Sequence, residues 1–239
     1  MPMAGLGTRL ANYDSYPKPL ISVLGKTIAE WSIKTLGLDG NYIFCCKKEH
    51  LEKFNMENIL TNIVPDCKII AIDYQTKGTV QSVLEASHLI DNNEELIISD
   101  ADHYLIWDVD FFNKKIRTKE IDACVMVFAE EYFSKKASYL KLNDEGYVIE
   151  ASEKNPISKT ASVGVHYYKK GSDFVRLGNK MIGKNLAYNN EFYVTPIYNL
   201  FIEEKKKVIV NPVKKMWPLG SPEEIELFVS EFSKKNSIN

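Results

Sequence analysis

Four short, unbroken apolar runs constrain this chain more than any other feature. They are Tyr42-Ile43-Phe44-Cys45-Cys46, Ile69-Ile70-Ala71-Ile72, Leu96-Ile97-Ile98 and Ala123-Cys124-Val125-Met126-Val127-Phe128. An alternating run marks a strand with one wet face, whereas a continuous run marks a strand covered on both faces. Helical patterns fall between the runs. Thr27 with Glu30 has the spacing of a capping box opening a helix to about Leu36, and Val80, Val83, Leu84 and Ser87 recur at helical spacing from Gly78 to Leu89. This order predicts an α/β protein, a Rossmann-like three-layer α/β/α sandwich with a mixed, mainly parallel central sheet.

The second half changes pattern. Tyr139–Leu142, a turn at Asn143-Asp144-Glu145-Gly146 and Tyr147–Ile149 read as a β-hairpin insertion, followed by a strand over Ala161–Tyr168. Helices are expected at about Asp173–Met181 and Phe192–Ile202. A last helix has Ser221 as N-cap, Pro222 at its first position and Glu224 in the capping-box place, with Ile225, Phe228, Val229 and Phe232 as its apolar stripe. The 239 residues suit one domain over 1–239. The opening strand looks short, because only Met1-Pro2-Met3-Ala4 precedes Gly5, so an upstream extension is one expectation.

Charge narrows the partners. Thirty Lys and Arg against thirty-two Asp and Glu give a net charge of -2, which argues against a nucleic-acid partner but not against small anions bound by local charge. No apolar run approaches the ~20 residues of a membrane span, so no membrane partner is expected. Cys45, Cys46, Cys67 and Cys124 show neither metal-ligand nor disulfide spacing. They read as buried reduced thiols in a cytoplasmic protein.

The chemistry starts at Gly5-Leu6-Gly7-Thr8-Arg9-Leu10, followed by Tyr16-Pro17-Lys18-Pro19-Leu20. Glycines two apart let the backbone turn sharply and present successive N–H groups to an anion. Thr8 adds a hydroxyl, Arg9 a planar cation, and Lys18, held between two prolines, a second cation. Together they describe a polyphosphate cradle. A Walker loop is absent, and Leu10 stands where a dinucleotide fingerprint needs its third glycine. Asp100-Ala101-Asp102 follows the Leu96–Ile98 run, at a strand end where α/β proteins bind ligands. If that segment stays extended, both carboxylates face one way and suit Mg²⁺ with phosphate oxygens.

The glycine segment and Pro17-Lys18-Pro19-Leu20 resemble the signature of the nucleotide-sugar pyrophosphorylases, the sugar-1-phosphate nucleotidyltransferases. The resemblance extends to Trp217–Glu223. It implies Mg²⁺ as cofactor, a nucleoside triphosphate and a small phosphorylated acceptor as partners, and transfer of NMP to a sugar-1-phosphate with release of pyrophosphate. It assigns Gly5, Leu6, Gly7, Thr8, Arg9 and Lys18 to the triphosphate, and Gln75, Gly78 and Thr79 to the nucleobase side. Asp102 is its best match for the metal ligand, with Asp100 second. Glu153 and Lys154 match its acceptor-phosphate segment, although Asn155 intervenes before Pro156. Gly164 and Glu191 match its sugar-binding positions. Pro196 replaces a later Asp, and Pro218-Leu219 replaces an Asp that completes the metal site in many relatives. Glu191, another acid, or water then supplies the remaining ligand.

Three other readings stand beside this one. A cytidylyltransferase for a non-sugar phosphate such as phosphocholine or a phosphonate would suit an aromatic cage, for which Trp107, Tyr167, Tyr168, Phe192 and Tyr193 are available. A metal-dependent glycosyltransferase would use Asp100-Ala101-Asp102. An inactive ligand-binding domain would explain the missing late Asp. A homo-oligomer, the base and the acceptor are left open by the sequence.

Overall fold

The computed structural model describes residues 1–5, 7–10, 12–118, 120–129 and 136–236, the side chains of 118 and 234–236 aside. Strand β1 (Pro2–Met3) leads into the glycine loop, and two 3₁₀ turns follow at Thr8–Leu10 and Lys18–Leu20. A small hairpin, β2 (Ser22–Val23) and β3 (Lys26–Thr27), delivers helix α1 (Ile28–Leu36). Thr27 caps α1 by accepting from the Glu30 N–H at 3.1 Å, as its spacing predicts. Next come β4 (Ile43–Lys47), α2 (Lys48–Phe54), α3 (Met56–Ile63) and β5 (Lys68–Ile72). Strands β1, β4 and β5 form a parallel sheet with β4 central.

The chain continues through α4 (Thr79–Leu84), α5 (Ser87–Ile90), β6 (Leu96–Ser99), β7 (His103–Ile106), α6 (Val109–Thr118) and β8 (Ala123–Ala129). The hairpin is β9 (Ser138–Leu142) and β10 (Val148–Glu153), and β11 (Thr160–Tyr168) follows. Helices α7 (Gly171–Gly183) and α8 (Ile197–Glu203), strands β12 (Val208–Pro212) and β13 (Lys215–Pro218), and helix α9 (Pro222–Asn236) complete the described chain. The larger sheet runs β10-β9-β11-β8-β12, with β6 also on β11. Strand β11 is antiparallel to β6, β8 and β9, while β12 is parallel to β8, so the sheet is mixed.

Alternation along β8 explains the layers. Ala123, Val125 and Val127 point into one core with Phe174 and Leu177 of α7 and Ile197 and Phe201 of α8. Cys124 and Met126 point into another with Phe112 and Ile116 of α6. A strand that feeds two cores must be apolar at every position, which is the pattern its sequence shows. A third cluster packs Met3, Phe44 and Cys46 against α1 and α3, and Ala101 joins it just beyond β6. The ends of β1 and β6 therefore meet. Cys45, Cys46 and Cys124 are buried, Cys67 is half-buried, and all four are free thiols.

Two helix expectations change. The helix read over 78–89 divides into α4 and α5, because the chain tightens where the Ala86 N–H bonds Val83 O at 3.0 Å. The helix read from Phe192 begins only at Ile197. Phe192 is instead tied to the other side of the cleft: its N–H donates to Lys77 O at 2.8 Å, and its carbonyl accepts from the Val80 N–H at 3.0 Å.

Candidate functional site

An open cleft of about 1290 Å³ lies at the ends of β1 and β6 and over the middle of β11. Gly5, Gly7, Thr8, Arg9, Lys18, Gln75, Gly78, Thr79, Asp100, Asp102, Glu153, Lys154, Gly164 and Glu191 all line it. Segments distant in sequence are thus brought to one place. Leu6 lies outside the described residues.

The first wall is the glycine loop. Gly7 packs on Lys18, where a Cβ at position 7 would stand 3.1 Å from the Lys18 Cβ. The Leu20 N–H bonds Pro17 O at 2.8 Å, closing the turn that carries Lys18. The Lys18 ammonium forms an ion pair with Asp102 Oδ2. Among the described residues Arg9 is exposed and has no ion-pair partner.

The second wall holds the acids beyond β6. The chain bends at Ala101 and Asp102 before β7 begins, so the segment is not extended as the sequence expectation supposed, while both acids line the cleft. Asp100 turns to Gly164: its N–H donates to Gly164 O at 2.8 Å, and a Cβ at 164 would overlap its carboxylate. Gly164 has φ +78°, a conformation that side-chain-bearing residues rarely adopt. Burial and the neighbouring Asp102 charge push the Asp100 carboxyl up to about 7. Burial would raise Asp102 too, but Lys18, by charge and hydrogen bond, together with His103 and Arg9, holds it below the usual range. Asp102 is therefore the stronger anion of the two at neutral pH. Burial lowers the neighbouring His103 imidazole to about 4, and its Nε2 is buried without a partner.

The third wall joins the turn before α4 to the segment before α8. Gly78 has φ +99°, and a Cβ there would stand 2.6 Å from the Phe192 backbone nitrogen. Only glycine lets these two chains touch. Gln75 is exposed at the rim and donates to Thr76 O at 3.1 Å, and Thr76 shares a hydroxyl hydrogen bond with Ser82 at 2.6 Å.

The fourth wall carries Glu153, Lys154 and Glu191. Lys154 has φ +54° and anchors its N–H on Ala137 O at 3.0 Å. Its ammonium donates to the Tyr193 hydroxyl, which donates to Glu191. The same ammonium lies 4.3 Å from the Tyr193 ring centroid and 5.6 Å from that of Tyr188. A tight turn through Asn189 and Asn190, both at positive φ, sets Tyr188 beside Glu191. Burial raises the Glu153 carboxyl, against the pull of Ser138 and Lys154. Of the aromatics named for a cage, Tyr193 alone lines the cleft among the described residues; Tyr167, Tyr168 and Phe192 are core residues and Trp107 packs on a core cluster.

A fifth wall comes from the Trp217–Glu223 segment named by resemblance, and it adds Glu224, which the sequence reading took only as a helix cap. Strand β13 pairs antiparallel with β7, and the Leu219 N–H continues that ladder to Asp102 O at 2.7 Å. This sets Gly220 beside Asp102. Glu224, in the first turn of α9, accepts from the Gly220 N–H at 2.9 Å. Its spacing from Ser221 signalled a helix cap, and the N–H of Glu224 does meet the Ser221 hydroxyl at 3.4 Å. Nothing in that spacing tells that the carboxylate also faces a cleft. His166 was missed as well. It lines the cleft from β11 and bonds the Tyr198 hydroxyl at 3.1 Å.

The residues present fit a Mg²⁺ site. The Lys18 ammonium on Asp102 is a cation standing on the carboxylate the metal would use, and Gly220 leaves a hollow that a Cβ would fill beside it. Among the described residues no group of three or more His, Cys, Asp or Glu could cage an ion alone. Mg²⁺ needs no such cage, since one or two carboxylates, substrate phosphates and water complete its shell.

No family model matches the chain, and no curated protein matches its sequence. Solved structures do. A nucleoside-diphosphate-sugar pyrophosphorylase from Vibrio cholerae RC9 superposes with a TM-score of 0.81 at 19% identity, over 96% of this chain and 100% of that one. A UDP-glucose pyrophosphorylase complexed with UDP-glucose gives 0.77 at 21%, over 98% and 97%. An inositol-1-phosphate CTP transferase from T. maritima gives 0.73 at 14%, over 98% and 93%. The chain thus shares the Rossmann-like fold of these proteins across nearly its whole length.

Proposed function

We propose that this chain is a nucleotidyltransferase that moves a nucleoside monophosphate from a nucleoside triphosphate to a sugar-1-phosphate, with release of pyrophosphate. One observation carries the reading: a single cleft holds a glycine loop with Arg9 and Lys18, the acid Asp102, and on another wall the cation Lys154. Two separate sets of cations suit two phosphorylated substrates.

An oxygen of the acceptor phosphate attacks the α-phosphorus. A new P–O bond forms there as the α–β P–O bond breaks, and pyrophosphate leaves with the electron pair. The nucleophile is already anionic, so no Ser, Cys or His need be activated. Burial pushes the Cys46 and Cys124 thiols up to about 12, far from nucleophilic use. Catalysis is then alignment and charge neutralisation. Arg9 and Lys18 take the oxygens that become pyrophosphate, Lys154 holds the acceptor phosphate, and Gln75, Gly78 and Thr79 border the base. Glu153, Gly164 and Glu191 face the acceptor's remaining groups. Mg²⁺ on Asp102 supplies charge to the triphosphate when bound.

A second reading changes only the acceptor. It is supported by Lys154, whose ammonium stacks on Tyr193 and Tyr188, because rings that take one cation can take another. A phosphorylated amine such as phosphocholine would suit the same rings. Incubation of the protein with each of four nucleoside triphosphates and with sugar-1-phosphates, inositol-1-phosphate and phosphocholine, reading pyrophosphate, tests both. Release with a sugar-1-phosphate supports the first reading, and release with phosphocholine alone supports the second. Release of a nucleoside diphosphate instead would mean glycosyl transfer, and none of these products would remove the enzymatic reading.

A further inference from the structure

We propose that Glu224 is the second carboxylate of the metal site, and that Lys18 holds Asp102, with Arg9 close by, until a metal–triphosphate takes its place. This rests on the nucleotidyl-transfer reading. Strand β13 ends in Pro218 and is followed by Leu219, so no acid is available where the strand meets Asp102. The backbone there is nevertheless fixed against Asp102 by the Leu219 hydrogen bond. Gly220 follows, and the point its Cβ would occupy is a measure of who meets there. Arg9 Nη2 is 3.0 Å from it, Glu224 Oε2 3.2 Å and Asp102 Oδ2 3.3 Å. The two carboxylates can be no further apart than those last two distances combined.

Glu224 is held in this place. Its Oε2 accepts from the Gly220 N–H, and its position in the first turn of α9 favours a negative charge. The other acids of the cleft are engaged elsewhere. Asp100 lies on Gly164, Glu153 on Ser138 and Glu191 on Tyr193. Glu191, one candidate from the sequence, is thus committed to the wall that carries Lys154.

The four groups balance one another: two carboxylates, one ammonium and one guanidinium. Lys18 sits on Asp102 as a stand-in cation. A divalent ion can replace Lys18 on Asp102 and draw in Glu224, while Lys18 and the nearby Arg9 turn to the triphosphate that arrives with it. The acids are then compensated before and after the exchange, which suits metal and nucleotide entering together rather than the metal first.

Direct Mn²⁺ titration, with free Mn²⁺ followed by electron paramagnetic resonance, tests this without turnover. The proteins are the wild type, Glu224→Gln, Asp102→Asn, Glu191→Gln and Lys18→Met, each checked for an unchanged melting temperature. The side-chain amide oxygen introduced by Glu224→Gln can still accept from the Gly220 N–H, so the fold should stand. We expect Glu224→Gln and Asp102→Asn each to weaken Mn²⁺ at least about tenfold, Glu191→Gln to leave it unchanged, and Lys18→Met to tighten it when no nucleotide is present. Wild-type affinity in Glu224→Gln, with affinity lost in Asp102→Asn, overturns the role of Glu224 and leaves the nucleotidyl-transfer reading intact. Unchanged affinity in Lys18→Met overturns the exchange. No Mn²⁺ binding to the wild type with any of four nucleoside triphosphates, together with no pyrophosphate release, removes the underlying reading itself.

Discussion

At the scale of single residues, charge decides the behaviour of the cleft. Lys18 and Asp102 pair in the free protein, yet the proposed reaction gives each a separate task toward substrate, so replacing either would remove a preorganised charge at the reacting phosphates. Lys18→Ala and Asp102→Ala should each slow pyrophosphate release by ~10²–10³ without unfolding the chain; rates near the wild type would contradict the assignment. His166 offers a pH test of burial. Burial and His103 lower its imidazole to about 3, so the folded state keeps it neutral while the unfolded chain protonates near ~6.5. Its contribution to stability is complete above about pH 6.5 and is lost as pH falls toward about 3. His166→Gln cannot titrate. Urea unfolding at pH 7 and pH 5 should therefore show the wild type losing about 2 kcal/mol more than the variant. Residue identity was most legible where chemistry and spacing coincide, as at Arg9, Lys18 and Asp102. Glu224 was read only as a cap, because a helix terminus explains an acid at that spacing without reference to anything across the cleft.

At the scale of elements, backbone contact explains what periodicity could not. The apolar pattern from Phe192 to Ile202 is real, but backbone hydrogen bonds to Lys77 and Val80 hold Phe192 outside the helix. Such a bond leaves no trace in hydropathy. Gly78 is its sequence mark, read from sequence as a binding glycine and found in the structure to be the glycine that lets this segment pack on Phe192. Gly78→Ala sets a Cβ 2.6 Å from the Phe192 nitrogen at φ +99°. It should cost about 1–3 kcal/mol or more, measured by urea unfolding, and a neutral result would mean that the two segments part easily. The hairpin at β9 and β10 and the cap of α1 were legible, since each depends on residues near in sequence. The break between α2 and α3 at Asn55, with φ +51°, was not. Helices of seven and eight residues give a periodicity little length in which to show, and Asn adopts the left-handed turn at little cost.

At the scale of the whole molecule, the sheet separates two cores. Their independence is measurable. Ile197→Val in the α7–α8 layer and Ile116→Val in the α6 layer should each cost about 0.5–1.5 kcal/mol. With no shared partner, the double variant should match their sum within about 0.5 kcal/mol; strong coupling would mean that the layers move together. Continuous apolar runs made this layering legible. They could not reveal that β11 reverses direction, because a strand buried on both faces looks the same either way. Nor could they reveal the pairing of β13 with β7, two strands of only four residues each. That ladder has a kinetic meaning. It joins segments about a hundred residues apart, and loop closure over such separations comes late because its entropy cost precedes its reward. A refolding chain should regain its helical circular dichroism first and its Mn²⁺ affinity only afterwards. Asp102 and Glu224, the acids of the proposed metal site, would then stay apart until the rest of the molecule is in order, which would keep half-folded chains from being trapped by a metal.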